Sequence, residues 1–220
     1  MVLKLYGSAL STARVLVTIL EKELPYEHIL IDIAKGDQKD EAYKKLQPFG
    51  KVPVLEDDGF FIFESRAICK YLARKYTSGT KLIPDEGDYK AYGLFEQACS
   101  VEQSYFAAAS ETLGTELVIK KVSKRRWSRM KGLGPPDEAR IAQAESDLDT
   151  VFAVYDNILA KQKYLAGDEL TLADLFHLPN ASALKAFGYQ KTFEKYPNVD
   201  KWFESLQERE TWIKATALAG

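Results

Sequence analysis

The apolar residues of this chain change their spacing once, and that change limits the fold more than any motif does. Up to about residue 76, short runs alternate apolar with polar residues, as strands with one buried face do. From Tyr89 onward the apolar positions recur every three and four residues, the spacing of helices. The chain therefore reads as α+β: a small mixed-sheet part followed by an all-helical part, with no internal repeat.

In the first part, residues 2–6 (VLKLY) and 26–33 (YEHILIDI) read as strands. A helix over 14–22 joins them, with Ser11 or Thr12 as its N-cap. A polar stretch leads through a short helix to Val52–Glu56 and Phe60–Phe63, two strands around an Asp-Asp-Gly turn. A helix then runs from Glu64 to Tyr76. The strand–helix–strand unit calls for a parallel crossover, and the hairpin adds antiparallel strands. Residues 77–88 (TSGTKLIPDEGD) are rich in turn formers, which sets a first domain at 1–78, a linker at 79–89 and a helical domain at 90–220. In the helical domain, residues 89–122 read as one long helix or a broken pair. Residues 137–161 carry a stripe from Ile141 to Leu159, and shorter helices fall at 170–175, 198–209 and 210–217.

Charge and composition narrow the function. With 30 basic against 32 acidic residues, no general field favours nucleic acid or an anionic membrane. One basic run, Lys120–Arg129 with Trp127 inside it, reads as a solvated helix end or loop. The 2 cysteines, Cys69 and Cys99, sit in apolar stretches and read as buried free thiols, which fits a reducing compartment. With only 2 histidines as well, a His/Cys metal site is not expected. No apolar run is long enough to span a membrane, and the chain is expected to be cytoplasmic. The GxSxG, GxGxxG and Walker A patterns are absent, which gives hydrolase and nucleotide chemistry little support.

Three segments carry chemistry. In GSALSTAR (7–14), small and hydroxyl residues follow a strand and precede a helix, so Ser11 or Thr12 either caps the helix or stabilises an anion such as a thiolate. In KVPVL (51–55), Pro53 does not suit a central strand. Either it is a trans proline at a strand start, or a cis bond turns the Val52 backbone outward, toward a peptide-like ligand. Glu64 and Ser65 open a helix, where they serve as caps or hold the carboxylate and ammonium of a ligand.

These segments, in this order before a helical domain, resemble the glutathione transferases, and most closely the phi class of plants, fungi and bacteria. The resemblance covers nearly the whole chain. It is carried by LST (10–12), QPFGKVPVLEDDGFFIFESRAICKYLA (47–73) and YLAGDELTLADLFHLPN (164–180). It implies a thioredoxin-like first domain that binds glutathione, and a helical domain that contributes a hydrophobic-substrate site. It further implies a homodimer with Phe49 as a contact residue, and no cofactor beyond glutathione as co-substrate. Residue by residue, it implies that Ser11 stabilises the glutathione thiolate and that Val52, before a cis Pro53, pairs with the cysteinyl unit. Glu64 and Ser65 would take the γ-glutamyl end, and Gln38, Lys39 and Lys51 the glycine carboxylate. Phe106, Leu113, Leu117 and Trp127 are expected as walls of the hydrophobic-substrate site. Phi members commonly have a longer loop between the serine and the Arg-Val that opens the helix, so Ser8 and Thr12 stand as substitute hydroxyls. Thr171 and Asp174 form a capping-box-like pair with a structural role. The implied activity is conjugation of glutathione to hydrophobic electrophiles, with peroxide reduction as a further activity. The alternative is a non-catalytic carrier of hydrophobic small molecules on the same fold.

Overall fold

The computed structural model describes residues 2–120 and 134–219. Trp127 and the basic run after Lys120 lie outside them. The first part is a four-stranded mixed sheet in the order β2-β1-β3-β4, built from β1 (Leu3–Gly7), β2 (Tyr26–Leu30), β3 (Val54–Asp57) and β4 (Phe60–Phe63). β1 pairs parallel to β2 across the crossover helix α1 (Ala9–Glu21), and antiparallel to β3, which pairs antiparallel with β4. A 3₁₀ turn (Asp37–Lys39) and a short helix α2 (Glu41–Lys44) lie before β3, and α3 (Ser65–Lys75) follows β4.

Helix α1 begins earlier than the apolar pattern indicates. Ser8 is its N-cap residue, so Ser11 and Thr12 lie inside its first turns. The small, polar run Ala9–Ala13 carries no apolar periodicity, which is why the sequence pattern starts only at Arg14. The helix is enclosed on several sides, with Val15, Leu16, Val17 and Ile19 all at 0% exposure. Each contributes about 1.5–3 kcal/mol relative to an exposed side chain.

The helical part opens with α4, which runs as Tyr89–Val101, a wider π turn Glu102–Phe106, α-helix again over Ala107–Gly114, and a second π turn Thr115–Ile119. Of the two expected arrangements, the one long helix forms and the broken pair does not. Next come α5 (Glu138–Leu159), α6 (Leu172–Leu175), α7 (Leu178–Leu184) with a π turn at Lys185–Tyr189, α8 (Gln190–Glu194), α9 (Pro197–Gln207) and α10 (Glu210–Ala219). The main core is shared between sheet and helices, while a small second cluster of Ile31, Tyr43 and Val54 sits beneath the loops on either side of α2.

Polar ties join the two parts. Glu21, 3% exposed at the end of α1, receives a forked pair from Arg209 (2.6 and 2.7 Å), the Thr80 hydroxyl (2.6 Å) and the Thr211 hydroxyl. The connecting segment is itself pinned, with the Ser78 hydroxyl on the Lys22 carbonyl and Leu82 buried. At α6 the capping box is formed: Asp174 accepts from the Thr171 N–H and hydroxyl, each at 3.0 Å, and also from the Leu165 N–H and the Trp202 indole.

His177 lies behind that network. Its Nδ1–H donates to the Ala173 carbonyl at 2.8 Å, so Nε2 accepts from the Tyr155 hydroxyl at 3.0 Å. Burial pushes the imidazole pKa down from 6.5 to about 4, against the opposing pull of Glu102 and with help from Arg66 and Arg14. The unfolded chain therefore takes up this proton first as the pH falls. Stability is expected to be full above pH 6.5 and to drop by about 3 kcal/mol toward pH 4. Unfolding midpoints against pH should show that slope in the native protein and a shallower one in His177→Gln.

Candidate active site

Several of the glutathione-site residues expected from the sequence are tied by hydrogen bonds to one another or to the segments between them. Ser11 projects from the first turn of α1, and its hydroxyl donates to the Val52 carbonyl at 3.1 Å. The Val52–Pro53 peptide is cis, and Val52 stands outside the ladder, since β3 begins at Val54. Among the described residues the Val52 N–H makes no hydrogen bond. The loop that presents it is fixed from below. The Lys51 N–H donates to the Gln47 side chain at 3.1 Å, and the Lys51 carbonyl accepts from the Tyr43 hydroxyl at 2.8 Å.

The two substitute hydroxyls are committed elsewhere. Ser8 donates to the Ile31 carbonyl at 2.8 Å, and Thr12, at 0% exposure, donates to the Ser8 carbonyl at 2.7 Å. Ser11 alone of the three points at Val52.

On one side of Val52, the loop 49–50 touches the 3₁₀ turn. The Lys39 ammonium donates to the carbonyls of Phe49 (3.2 Å) and Gly50 (2.7 Å). Gly50 has φ +58° and lies so near the Gln38 carbonyl that a Cβ there would sit 2.7 Å from it, which glycine alone avoids. Gln38 is buried, and its Oε1 has no partner among the described residues. The Lys51 residue is exposed beside it in the loop.

On the other side, Arg14, three residues after Ser11 in α1, reaches the α3 N-terminus. Its guanidinium is buried. Nη1 donates to the Ser65 hydroxyl at 3.0 Å and Nε to the Phe176 carbonyl at 3.1 Å. Ser65 is the first residue of α3, where helical N–H groups are free of intrahelical partners. Glu64 before it is exposed and held at φ +72°, a strained conformation of about 1–3 kcal/mol for a residue other than glycine. Arg66 makes a forked ion pair with Glu102 (2.6 and 2.7 Å), which fastens this helix start to α4. Sequence reasoning missed Arg14 as part of the site. An arginine within an apolar helix was a signal, since such a charge is seldom buried without partners.

The expected walls of the hydrophobic-substrate site need correcting. Phe106 and Leu113 are 1% and 0% exposed, and Leu117 packs against the same core. Phe106 lies against Phe152 and the His177 ring. The most apolar stripe of a helix is the one it buries, so reading walls from that stripe selects the core face. A cavity at Leu10, the residue before Ser11, is lined instead by neighbouring residues of α4, including Glu111, Thr115 and Val118, and by Asn180 and Phe187 from the α7 region. It measures about 370 Å³. A larger space of about 530 Å³ lies between α4 and α5 and has no lining residue from the sheet part, whereas the cavity at Leu10 includes that residue.

The cysteines are core groups. Both Cys69 and Cys99 are buried and free, and burial pushes their thiols up to about 11 and about 12. They are expected to react with an aromatic disulfide reagent only after denaturant is added; rapid labelling of the native protein would contradict this. No three His, Cys, Asp or Glu side chains among the described residues form a metal-holding group. No described helix is long and apolar enough to cross a membrane.

Comparison with known proteins agrees with this geometry. Residues 1–74 match the N-terminal domain of glutathione S-transferase, and residues 106–210 match its C-terminal domain. The chain is 75% identical over 219 residues to glutathione S-transferase hmp2 of Hypomyces subiculosus, covering 100% of both chains. Glutathione transferase F2 of Populus trichocarpa superposes with a TM-score of 0.89 at 34% identity, over 99% of this chain and 98% of that one. A maize glutathione S-transferase I in complex with an atrazine–glutathione conjugate gives 0.87 at 32% identity, over 100% and 98%. A thioredoxin-like sheet domain, a helical domain and relatives of this identity over the full length together make the chain a member of the glutathione S-transferases, with the transferase activity of that family.

Proposed function

We propose that this transferase is of the phi class and conjugates glutathione to hydrophobic electrophiles through a thiolate held by Ser11. The observation that carries the proposal is the 3.1 Å contact between the Ser11 hydroxyl and the Val52 carbonyl. It places a hydroxyl donor beside the backbone that would pair with the cysteinyl unit. A thiol pKa lowered by one unit corresponds to about 1.4 kcal/mol in favour of the thiolate. The anion then attacks an electrophilic carbon in the cavity beside Leu10, forming a C–S bond as the leaving group departs with its electron pair.

The other roles follow from the remaining contacts. Val52 offers N–H and C=O to the cysteinyl amide. The Ser65 hydroxyl and the open N–H groups of α3, with Arg14 behind them, take the γ-glutamyl carboxylate, and Glu64 takes its ammonium. Gln38, Lys39 and Lys51 serve the glycine carboxylate. In this reading residues 1–78 form the glutathione domain, 79–89 the linker and 90–220 the domain that completes the electrophile site. The chain acts in the cytoplasm as a homodimer, with Phe49 as a contact; that residue is 67% exposed and lies edge-on to Phe63. Peroxide reduction by the same thiolate is a second activity.

One observation supports the carrier alternative. The Ser11 proton rests on the carbonyl that a cysteinyl N–H would need, so ligand binding has to turn the hydroxyl toward sulfur. The test is calorimetric binding of glutathione together with turnover of an activated aryl halide. Binding with turnover supports the transferase, binding without turnover supports the carrier, and no binding of glutathione refutes the transferase reading.

A further inference from the structure

Two helix faces form the main walls of the cavity at Leu10. On α4 the lining residues Ser110, Gly114 and Val118 follow one another a helical turn apart, and on the α7 segment Asn180, Ala183 and Phe187 do the same. The smallest residue of each row stands at its middle, Gly114 on one wall and Ala183 on the other. Leu10, Ile119 and Phe187 also line the space, and they are 47%, 42% and 41% exposed, so apolar surface stays open to a ligand there.

A glycine inside a helix is less stable than an alanine, and two reasons usually excuse it. Neither holds at Gly114. Its backbone is ordinary right-handed helix, φ −57° and ψ −41°, which any residue adopts. A Cβ built on it would meet no atom within 4 Å, so no neighbour requires its absence. Its place between Ser110 and Val118 in one row turns that Cβ direction toward the cavity they line. What the glycine supplies is room. We infer that Gly114 sets the bulk of the electrophile, keeping space for an apolar group the size of two fused rings, and that a side chain there would confine the site to small electrophiles. This rests on the transferase reading above, in which the group carried by the glutathione sulfur occupies this cavity, and it narrows the substrate class of that site.

The test compares binding of S-methylglutathione and S-(1-naphthylmethyl)glutathione, which share the peptide and differ only in the group on sulfur. By calorimetry the native protein is expected to bind the naphthylmethyl compound about 10²-fold more tightly, through burial of the added apolar surface. Gly114→Leu should reduce that advantage by about tenfold or more and leave the affinity for S-methylglutathione within about twofold. Gly114→Ala should reduce it by about threefold, the effect of roughly one displaced methylene, while raising the melting temperature by about 1–4 °C. Gly93, exposed in the same helix, also has no atom within 4 Å of a Cβ but does not line the cavity. Gly93→Ala should raise the melting temperature alike and leave both affinities unchanged, so a general effect of removing a helical glycine is separated from loss of room. If Gly114→Leu does not fold, Gly114→Ala decides. Equal affinities for the two compounds in the native protein, or an advantage that neither Gly114 variant diminishes, overturns the inference while the binding of S-methylglutathione leaves the transferase reading standing. If S-methylglutathione itself is not bound, the transferase reading falls and the inference falls with it.

Discussion

Ser11→Ala is expected to lower kcat/KM for conjugation at neutral pH by about 10²-fold, the scale of losing one hydrogen-bond donor to a developing anion. Glutathione affinity should change far less, because the Val52 backbone, the α3 N-terminus and the Gln38 region are untouched. The variant's pH–rate profile should move up toward an ordinary thiol, near ~8.5. An ultraviolet thiolate band of bound glutathione is expected at neutral pH in the native protein and should be missing from the variant. An unchanged band and profile would remove Ser11 from the mechanism. Ser8 and Thr12 could then take its place only after rearrangement, since both hydroxyls already serve backbone carbonyls, of Ile31 and of Ser8.

Asp174→Ala is expected to be the most destabilising single change away from the ligand site. Asp174 is at 0% exposure, and its two oxygens collect four donors from three separate places in the helical part. Burial holds its pKa above the ordinary carboxylate range despite those bonds. Truncation would leave the Leu165 and Thr171 N–H groups and the Trp202 indole buried without an acceptor. The loss should be about 3–5 kcal/mol, or roughly 10 °C in melting temperature for a chain of this size. Thr171→Ala removes only one of the four bonds and should lose about 0.5–2 kcal/mol. Calorimetric melting of both variants checks the order; a shift in Asp174→Ala no larger than in Thr171→Ala would show that the network contributes little.

Much of this architecture was legible because burial and periodicity agree. The hairpin VLEDDGFFIF announces itself through a turn between two alternating runs, and β3 and β4 pair around it. The proposed glutathione contacts rest on a different kind of signal. They depend on backbone groups and short hydroxyls at element boundaries, and a proline or a helix start marks such boundaries. The cavity beside Leu10 was not legible. Its lining mixes Leu10, Glu111 and Asn180 from three distant segments, and none stands out in its own helix. Two π turns in α4 further shift which residues face inward, and side-chain spacing alone does not disclose an extra residue in a turn. Arg14 lay hidden similarly, because its partners, Ser65 and Phe176, are 51 and 162 residues away.

The Glu21–Arg209 clasp has a consequence for synthesis on the ribosome. Glu21 ends the helix on which Ser11 sits, and its forked partner is separated from it by 188 residues. A nascent chain can form the sheet early, yet the carboxylate at the end of α1 keeps its water until Arg209 and α10, which packs on α1, arrive to cover and pair it. Long-range closure of this kind comes late in folding. The end of the helix that carries Ser11 is thus secured only once a segment 188 residues downstream has been made, so α1 is completed by the helical part and not by the sheet part alone.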